Sequence, residues 1–131
     1  MARSDATSRH VRLIKAHAYG NDFLMVEEDA LRASGTSRTD EDLARAVCDR
    51  HQGFGADGLL ITRRRPGGAS MRLLNADGSP SEVSGNGVRC LAAWVARSEN
   101  LKPGTRITID TDAGPITLQM TPAVSISGEN D

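Results

Sequence analysis

Between Asn75 and Gly87 the chain twice sets small polar residues among glycines, as Asn75-Ala76-Asp77-Gly78-Ser79 and then Ser84-Gly85-Asn86-Gly87. The second run opens a long apolar stretch that reads as a helix. A helix start offers backbone N–H groups without partners and the positive end of the peptide dipole, and glycines let a ligand approach the main chain. A carboxylate is the small ligand that suits such a nest. A plainer reading stands beside it: a glycine-rich turn, capped by Ser84 or Asn86, that only starts the helix.

Other segments carry less. Gly53-Phe54-Gly55-Ala56-Asp57-Gly58 has the outline of a phosphate loop, but it follows no strand and lacks the Lys-Ser/Thr of a Walker loop. Tyr19-Gly20-Asn21-Asp22-Phe23 reads as a turn centred on Gly20-Asn21-Asp22, with the asparagine tolerating a left-handed backbone. Cys48 and Cys90 lie in apolar contexts, the setting of buried packing thiols, and two cysteines alone make neither a disulfide framework nor a metal site. His10, His17 and His51 lack ligand spacing, so no metal is expected.

Several elements must position these residues. Residues 11–17 alternate as a strand, with Val11, Leu13 and Lys15 on one side, and residues 23–26 return as a second. Thr39 or Asp40 caps a helix to about residue 49, with Leu43, Ala46 and Val47 at helical spacing, and Gly53-Phe54-Gly55 breaks it. Residues 58–62 and 70–74 read as strands joined across Arg65-Pro66-Gly67-Gly68. From residue 86 to about 98 the chain carries Val88, Cys90, Leu91, Ala92, Ala93, Trp94, Val95 and Ala96, apolar on nearly every side. Such a helix must be enclosed, and a sheet curling about it would do that. Residues 106–111 and 115–120 pair around Asp112-Ala113-Gly114. Adjacent strands with two helices predict an α+β domain rather than a doubly wound sheet. Residues 1–9 are expected to form a disordered lead-in, 10–120 the domain, and 121–131 a tail or the start of a linker.

The 131 residues carry 16 basic and 17 acidic side chains, a net charge of -1, so one domain is expected and no field favours nucleic acid or an anionic membrane. Arg63-Arg64-Arg65 reads as a solvated hairpin tip. No apolar run reaches the ~20 residues of a membrane span, and the first residues lack the apolar segment of a signal peptide. A cytoplasmic location is expected.

Taken together, four segments resemble one family. His17-Ala18-Tyr19-Gly20-Asn21-Asp22-Phe23, Asp49-Arg50-His51-Gln52-Gly53-Phe54-Gly55-Ala56-Asp57-Gly58, Met71-Arg72-Leu73-Leu74-Asn75-Ala76-Asp77-Gly78-Ser79 and Ser84-Gly85-Asn86-Gly87-Val88-Arg89-Cys90 occur in the order and spacing of diaminopimelate epimerases, and Thr111-Asp112-Ala113-Gly114 continues the match. The resemblance runs from about residue 13 to 120. It implies the N-terminal half of a two-lobed bacterial isomerase, each lobe a curved, mostly antiparallel sheet wrapped around a central helix, with the active site between lobes. Such enzymes interconvert LL- and meso-diaminopimelate, for lysine and peptidoglycan, without pyridoxal phosphate, metal or nucleotide. One cysteine from each lobe works on opposite faces of the α-carbon. The partners implied are the amino-acid substrate and the C-terminal half of the same enzyme. A face left without that half would favour self-association, a homodimer included.

By matched position, Asn21, Asn75, Gly85 and Asn86 would bind substrate, with the helix-start N–H groups taking the α-carboxylate. Deprotonating the α-carbon builds charge on that carboxylate, so preorganised donors stabilise the transition state more than the ground state. Ser84 stands where the family has its first catalytic cysteine. A helix start can bring a thiol from ~8.5 to near neutrality, whereas a hydroxyl begins far higher and stays protonated. Cys90, six residues on, is expected to face the core. Two further readings follow: a binding half-domain that keeps the carboxylate nest without the chemistry, and a relative with altered chemistry, as in phenazine-pathway isomerases or proline racemases. Asn75-Ala76-Asp77-Gly78 and Ser84-Gly85-Asn86-Gly87 favour the diaminopimelate branch.

Overall fold

Among the described residues six strands lie in one sheet in the order in which the chain makes them. The computed structural model describes residues 11–82 and 84–120. The expected lead-in at 1–9, His10 and the tail at 121–131 lie outside the described residues. The strands are β1 (Ile14–Ala18), β2 (Asn21–Glu27), β3 (Gly58–Arg65), β4 (Gly68–Asn75), β5 (Arg106–Thr111) and β6 (Gly114–Gln119). Between β2 and β3 come helices α1 (Glu28–Ala33) and α2 (Asp40–Cys48), and between β4 and β5 comes α3 (Gly85–Ser98). The three hairpins β1–β2, β3–β4 and β5–β6 are antiparallel, whereas β2–β3 and β4–β5 are parallel.

The two parallel steps explain where the helices sit. Parallel crossovers are right-handed almost without exception. Both steps move the same way across the sheet, but β2 and β3 point opposite to β4 and β5, because β3 and β4 are antiparallel, so the rule sends their helices to opposite faces. The core divides accordingly. Phe23 and Met25 of β2 pack with Val88, Leu91 and Val95 of α3, and Leu24 and Val26 pack with Leu31, Ala44 and Val47 of α1 and α2. With both faces covered, β2 and β3 carry unbroken apolar runs rather than an alternating pattern.

Helix α3 is the centre of the larger cluster. Val88, Cys90, Leu91, Ala92, Val95 and Ala96 are buried on it. Ile14, Ala16 and Ala18 from one edge strand and Ile116 and Leu118 from the other reach the same cluster, so the sheet curls around the helix from end to end. The α+β class and the enclosed helix agree with the sequence. Enclosure is incomplete along one stripe, where Gly85, Arg89, Ala93 and Arg97 remain exposed.

Local signals account for most boundaries. Thr39 caps α2, its side chain accepting from the Asp42 N–H at 3.0 Å. Ser84 caps α3, its Oγ accepting from the Gly87 N–H at 3.2 Å. The turn between β1 and β2 is a correction. Ala18 pairs with Asn21, which leaves only Tyr19 and Gly20 in the loop, both at positive φ (50° and 87°). A two-residue antiparallel loop of this kind demands that backbone at both positions. Asn21 and Asp22 are therefore already in β2, where their side chains are available for other work. The Arg63-Arg64-Arg65 run is solvated yet paired: Arg63 with Asp29, Arg64 with Glu99 and Arg65 with Asp110.

One glycine is demanded by packing. A Cβ on Gly68 would lie 1.8 Å from the carbonyl oxygen of Thr108, the residue paired with it across β4–β5. Gly68→Ala is expected to force these strands apart and cost about 2 kcal/mol or more, read as a lower denaturant midpoint. An unchanged midpoint would show that the β4–β5 pairing tolerates this displacement.

Candidate functional site

One end of the sheet gathers the residues singled out above. Across four strands, Ala16 pairs with Phe23, Phe23 with Gly58, and Gly58 with Asn75. Asn21 and Asp22 begin β2 at this end, Asp57 precedes β3, Asn75 ends β4, and the start of α3 follows a short connection from β4.

Asn21 and Asn86, 65 positions apart, meet here. The Asn86 Nδ2 donates to Asn21 Oδ1 at 2.7 Å. Asn21 Nδ2 in turn donates to Asp57 Oδ2 at 3.3 Å, and Arg89 Nη1 donates to Asn86 Oδ1 at 3.2 Å. The Arg89 guanidinium also lies 5.5 Å from the centre of the Tyr19 ring, within cation–π range. Gly85 is exposed, and the first N–H groups of α3 have no intrahelical acceptor by the geometry of a helix start. Asn75 lies at the same sheet end, but its amide serves a local turn, with Nδ2 donating to Ser79 Oγ at 3.1 Å. Thus Asn21, Ser84, Gly85 and Asn86 stand together, and Asn75 flanks them.

Sequence reasoning assigned no role to an ionic cluster beneath Asn21. Arg50 grips Asp22 through both guanidinium nitrogens at 2.9 and 3.1 Å and reaches Asp57 at 3.1 Å. Backbone bonds lock the two acids reciprocally: Asp22 N–H donates to Asp57 Oδ2 at 2.9 Å, and Asp57 N–H to Asp22 Oδ1 at 3.0 Å. Lys15 stands 3.4 Å from Asp22. The only available signal was the pairing of Asp22 with Arg50 and Asp57 in the matched segments, and spacing alone does not reveal that contact.

The Arg50 guanidinium, with help from Asp57, holds the Asp22 carboxyl well below the usual carboxylate range despite its burial. A depressed folded-state value adds stability above the unfolded value of about 3.9, and this is lost as pH falls through the folded value. Asp22→Asn is therefore expected to be less stable than the parent at neutral pH, with the gap closing in acid. Urea midpoints of the two proteins from neutral pH to below pH ~3 measure this, and parallel curves would exclude it.

Neither cysteine belongs to the site. Cys48 and Cys90 are buried in the two separate clusters, and burial pushes both thiols up to about 11. Among the described residues no group of three or more His, Cys, Asp and Glu side chains is arranged to hold a metal. Two concavities, of about 250 and 90 Å³, lie elsewhere, the first lined by Glu28, Arg72 and Asp110 and the second by Arg12, Met25 and Trp94. At the asparagine site Gly85 is exposed, and Asn21, Ser84 and Asn86 are half-buried. No helix of the described residues is long and apolar enough to cross a membrane.

The sequence profile of diaminopimelate epimerase matches residues 13–127. Curated relatives include diaminopimelate epimerase 1 of Nostoc sp., 42% identical over 115 residues, covering 86% of this chain and 40% of that protein. A chloroplastic diaminopimelate epimerase of Oryza sativa subsp. japonica is 39% identical over 112 residues, covering 84% of this chain and 31% of that one. Among solved structures, a phenazine biosynthesis protein of the PhzF family from Enterococcus faecalis superposes with a TM-score of 0.53 at 10% identity, over 86% of this chain and 40% of that one. The PhzF-family protein of Bacillus anthracis gives 0.52 at 20% identity, over 83% and 34%. These last two share the fold. The chain belongs to the diaminopimelate epimerase family, a family of isomerases, and spans well under half the length of the relatives named.

Proposed function

We propose that this chain is the N-terminal lobe of a cofactor-independent diaminopimelate epimerase, that it binds the amino-acid end of diaminopimelate, and that it does not epimerise by itself. Its domain would be residues 10–120, acting in the cytoplasm with a C-terminal lobe as partner. The observation that carries this reading is the Asn21–Asn86 contact beside the Ser84 cap, at the start of α3. Side-chain amides and the helix-start N–H groups lie side by side there, donors of the kind a carboxylate takes. Donors fixed in advance stabilise the charge that develops when the α-proton leaves. Gly85 at this helix start is exposed, whereas small-ligand sites bury most of the ligand, and a second lobe over the helix start would supply that cover.

The reaction also needs a base, and Ser84 is a poor one. Its Oγ is occupied as acceptor of the Gly87 N–H, and the positive helix end cannot bring a hydroxyl to an alkoxide near neutral pH. This favours a second reading, a lobe that holds the carboxylate without performing the chemistry. The purified chain in heavy water with diaminopimelate is expected to show ligand binding and no incorporation of deuterium at the α-carbon. Enzyme-dependent incorporation would make Ser84, or a neighbour, a competent base. Absence of binding would remove the reading altogether.

A further inference from the structure

We propose that Arg89 and Asp57 are positioning residues that set the orientation of both site asparagines through a one-way relay, Arg89 to Asn86 to Asn21 to Asp57. The role given to the asparagines rests on the functional reading above. The relay itself rests on geometry.

An asparagine amide can sit either way round in its pocket with little change of shape, and its partners decide which face it shows. Here the two ends of the chain of bonds decide. Arg89 has only N–H groups to give, so Asn86 must turn its Oδ1 toward it, at 3.2 Å. That leaves Nδ2 of Asn86 for Asn21, whose Oδ1 accepts at 2.7 Å. Nδ2 of Asn21 then faces Asp57, a carboxylate that only accepts, at 3.3 Å. Reversing either amide would set oxygen against oxygen or N–H against N–H at two contacts at once. A donor-only group at one end and an acceptor-only group at the other leave a single arrangement.

Both ends are themselves held. Arg89 lies over the Tyr19 ring, and Tyr19 occupies a two-residue turn at positive φ. Asp57 is fixed by Arg50 and by the Asp22 N–H. Each amide nitrogen has a second N–H beyond the one the relay uses. The arrangement therefore offers a bound carboxylate donors from both asparagines. A reversed amide would offer it a carbonyl oxygen. Arg89 and Asp57 act on the ligand through the asparagines.

Side-chain amide resonances of Asn21 and Asn86 in ¹⁵N-labelled chain test the relay. Arg89→Met is expected to shift the Asn86 signals and also those of Asn21, which the relay reaches only through Asn86, and Arg89→Lys is expected to restore both in part. Asp57→Leu, acting from the other end, should shift Asn86 as well as Asn21, and Asp57→Asn, which keeps an acceptor oxygen, should restore them. Signals that move only at the asparagine next to the substituted residue overturn the relay, and two independent ends keep the test available if one variant misfolds. In the same samples diaminopimelate should bind Arg89→Met about tenfold more weakly than the parent, the loss of roughly one well-placed hydrogen bond. Equal affinities with coupled shifts would overturn the positioning role. No binding by the parent would sink the functional reading, while coupled shifts would still uphold the relay.

Discussion

Joined to a C-terminal lobe that carries its own cysteine, this lobe is expected to gain about 10²–10⁴-fold in α-proton exchange and epimerisation when Ser84 becomes cysteine, the range typical of a positioned general base. The start of α3 supplies what a thiol needs: the positive helix end and unpaired N–H groups lower its pKa, and the resulting thiolate can take a proton on one passage and return one on the next. Ligand affinity should change little, because the groups proposed to hold the substrate, Asn21, Asn86 and the helix N–H groups, are the same whichever atom stands at residue 84. The substitution also has a cost. Ser84 Oγ accepts from Gly87 N–H, and sulfur is a weaker acceptor, so α3 should lose about 0.5–1 kcal/mol of capping. Turnover and affinity measured with and without Ser84→Cys separate the two effects. Equal turnover would refute the thiol-centred mechanism for this protein.

The second large effect concerns the core. Leu91 is fully buried at the middle of α3, among side chains from the curled sheet. Leu91→Asp places a charge there with no partner, and burying an unpaired carboxylate while losing the leucine should cost about 4–5 kcal/mol or more. That is a large fraction of the stability of a domain this size, so the variant is expected to be largely unfolded, with far-ultraviolet circular dichroism to report it. Leu91→Met, close in volume, should stay folded with a loss of less than ~1.5 kcal/mol. An aspartate variant with the parent's denaturant midpoint would mean that α3 is not enclosed.

Much of this fold was legible because its signals are local. The Thr39 cap, the Pro66-Gly67 reversal and the apolar run of α3 mark α2, the β3–β4 hairpin and the central helix. Helix α1 was missed, since Glu28–Ala33 is too short for a periodic pattern and its Leu31 alone is buried. The β1–β2 turn was placed late because Asn21 and Asp22 are common turn residues, and only the Ala18–Asn21 register shows that Tyr19 takes the left-handed backbone instead. Neither parallel pairing could be read, because parallel partners lie a whole crossover apart. The site divides in the same way. Ser84, Gly85 and Asn86 are contiguous and could be found together, whereas the Asn86–Asn21 contact and the Arg50 grip on Asp22 are long-range facts of the folded chain.

The strand order has a consequence for how the domain is made. Each strand after β1 pairs with the strand synthesised just before it, and none is inserted between two others. The three hairpins close over short loops and the two parallel pairings each close over one helical crossover, so loop closure proceeds stepwise along the chain. On the ribosome the sheet can grow by accretion from the β1–β2 hairpin outward, with α3 arriving before the last two strands close over it. The asparagine contact at the start of α3 can form as soon as that helix docks, so the candidate site can take shape while β5 and β6 are still to come.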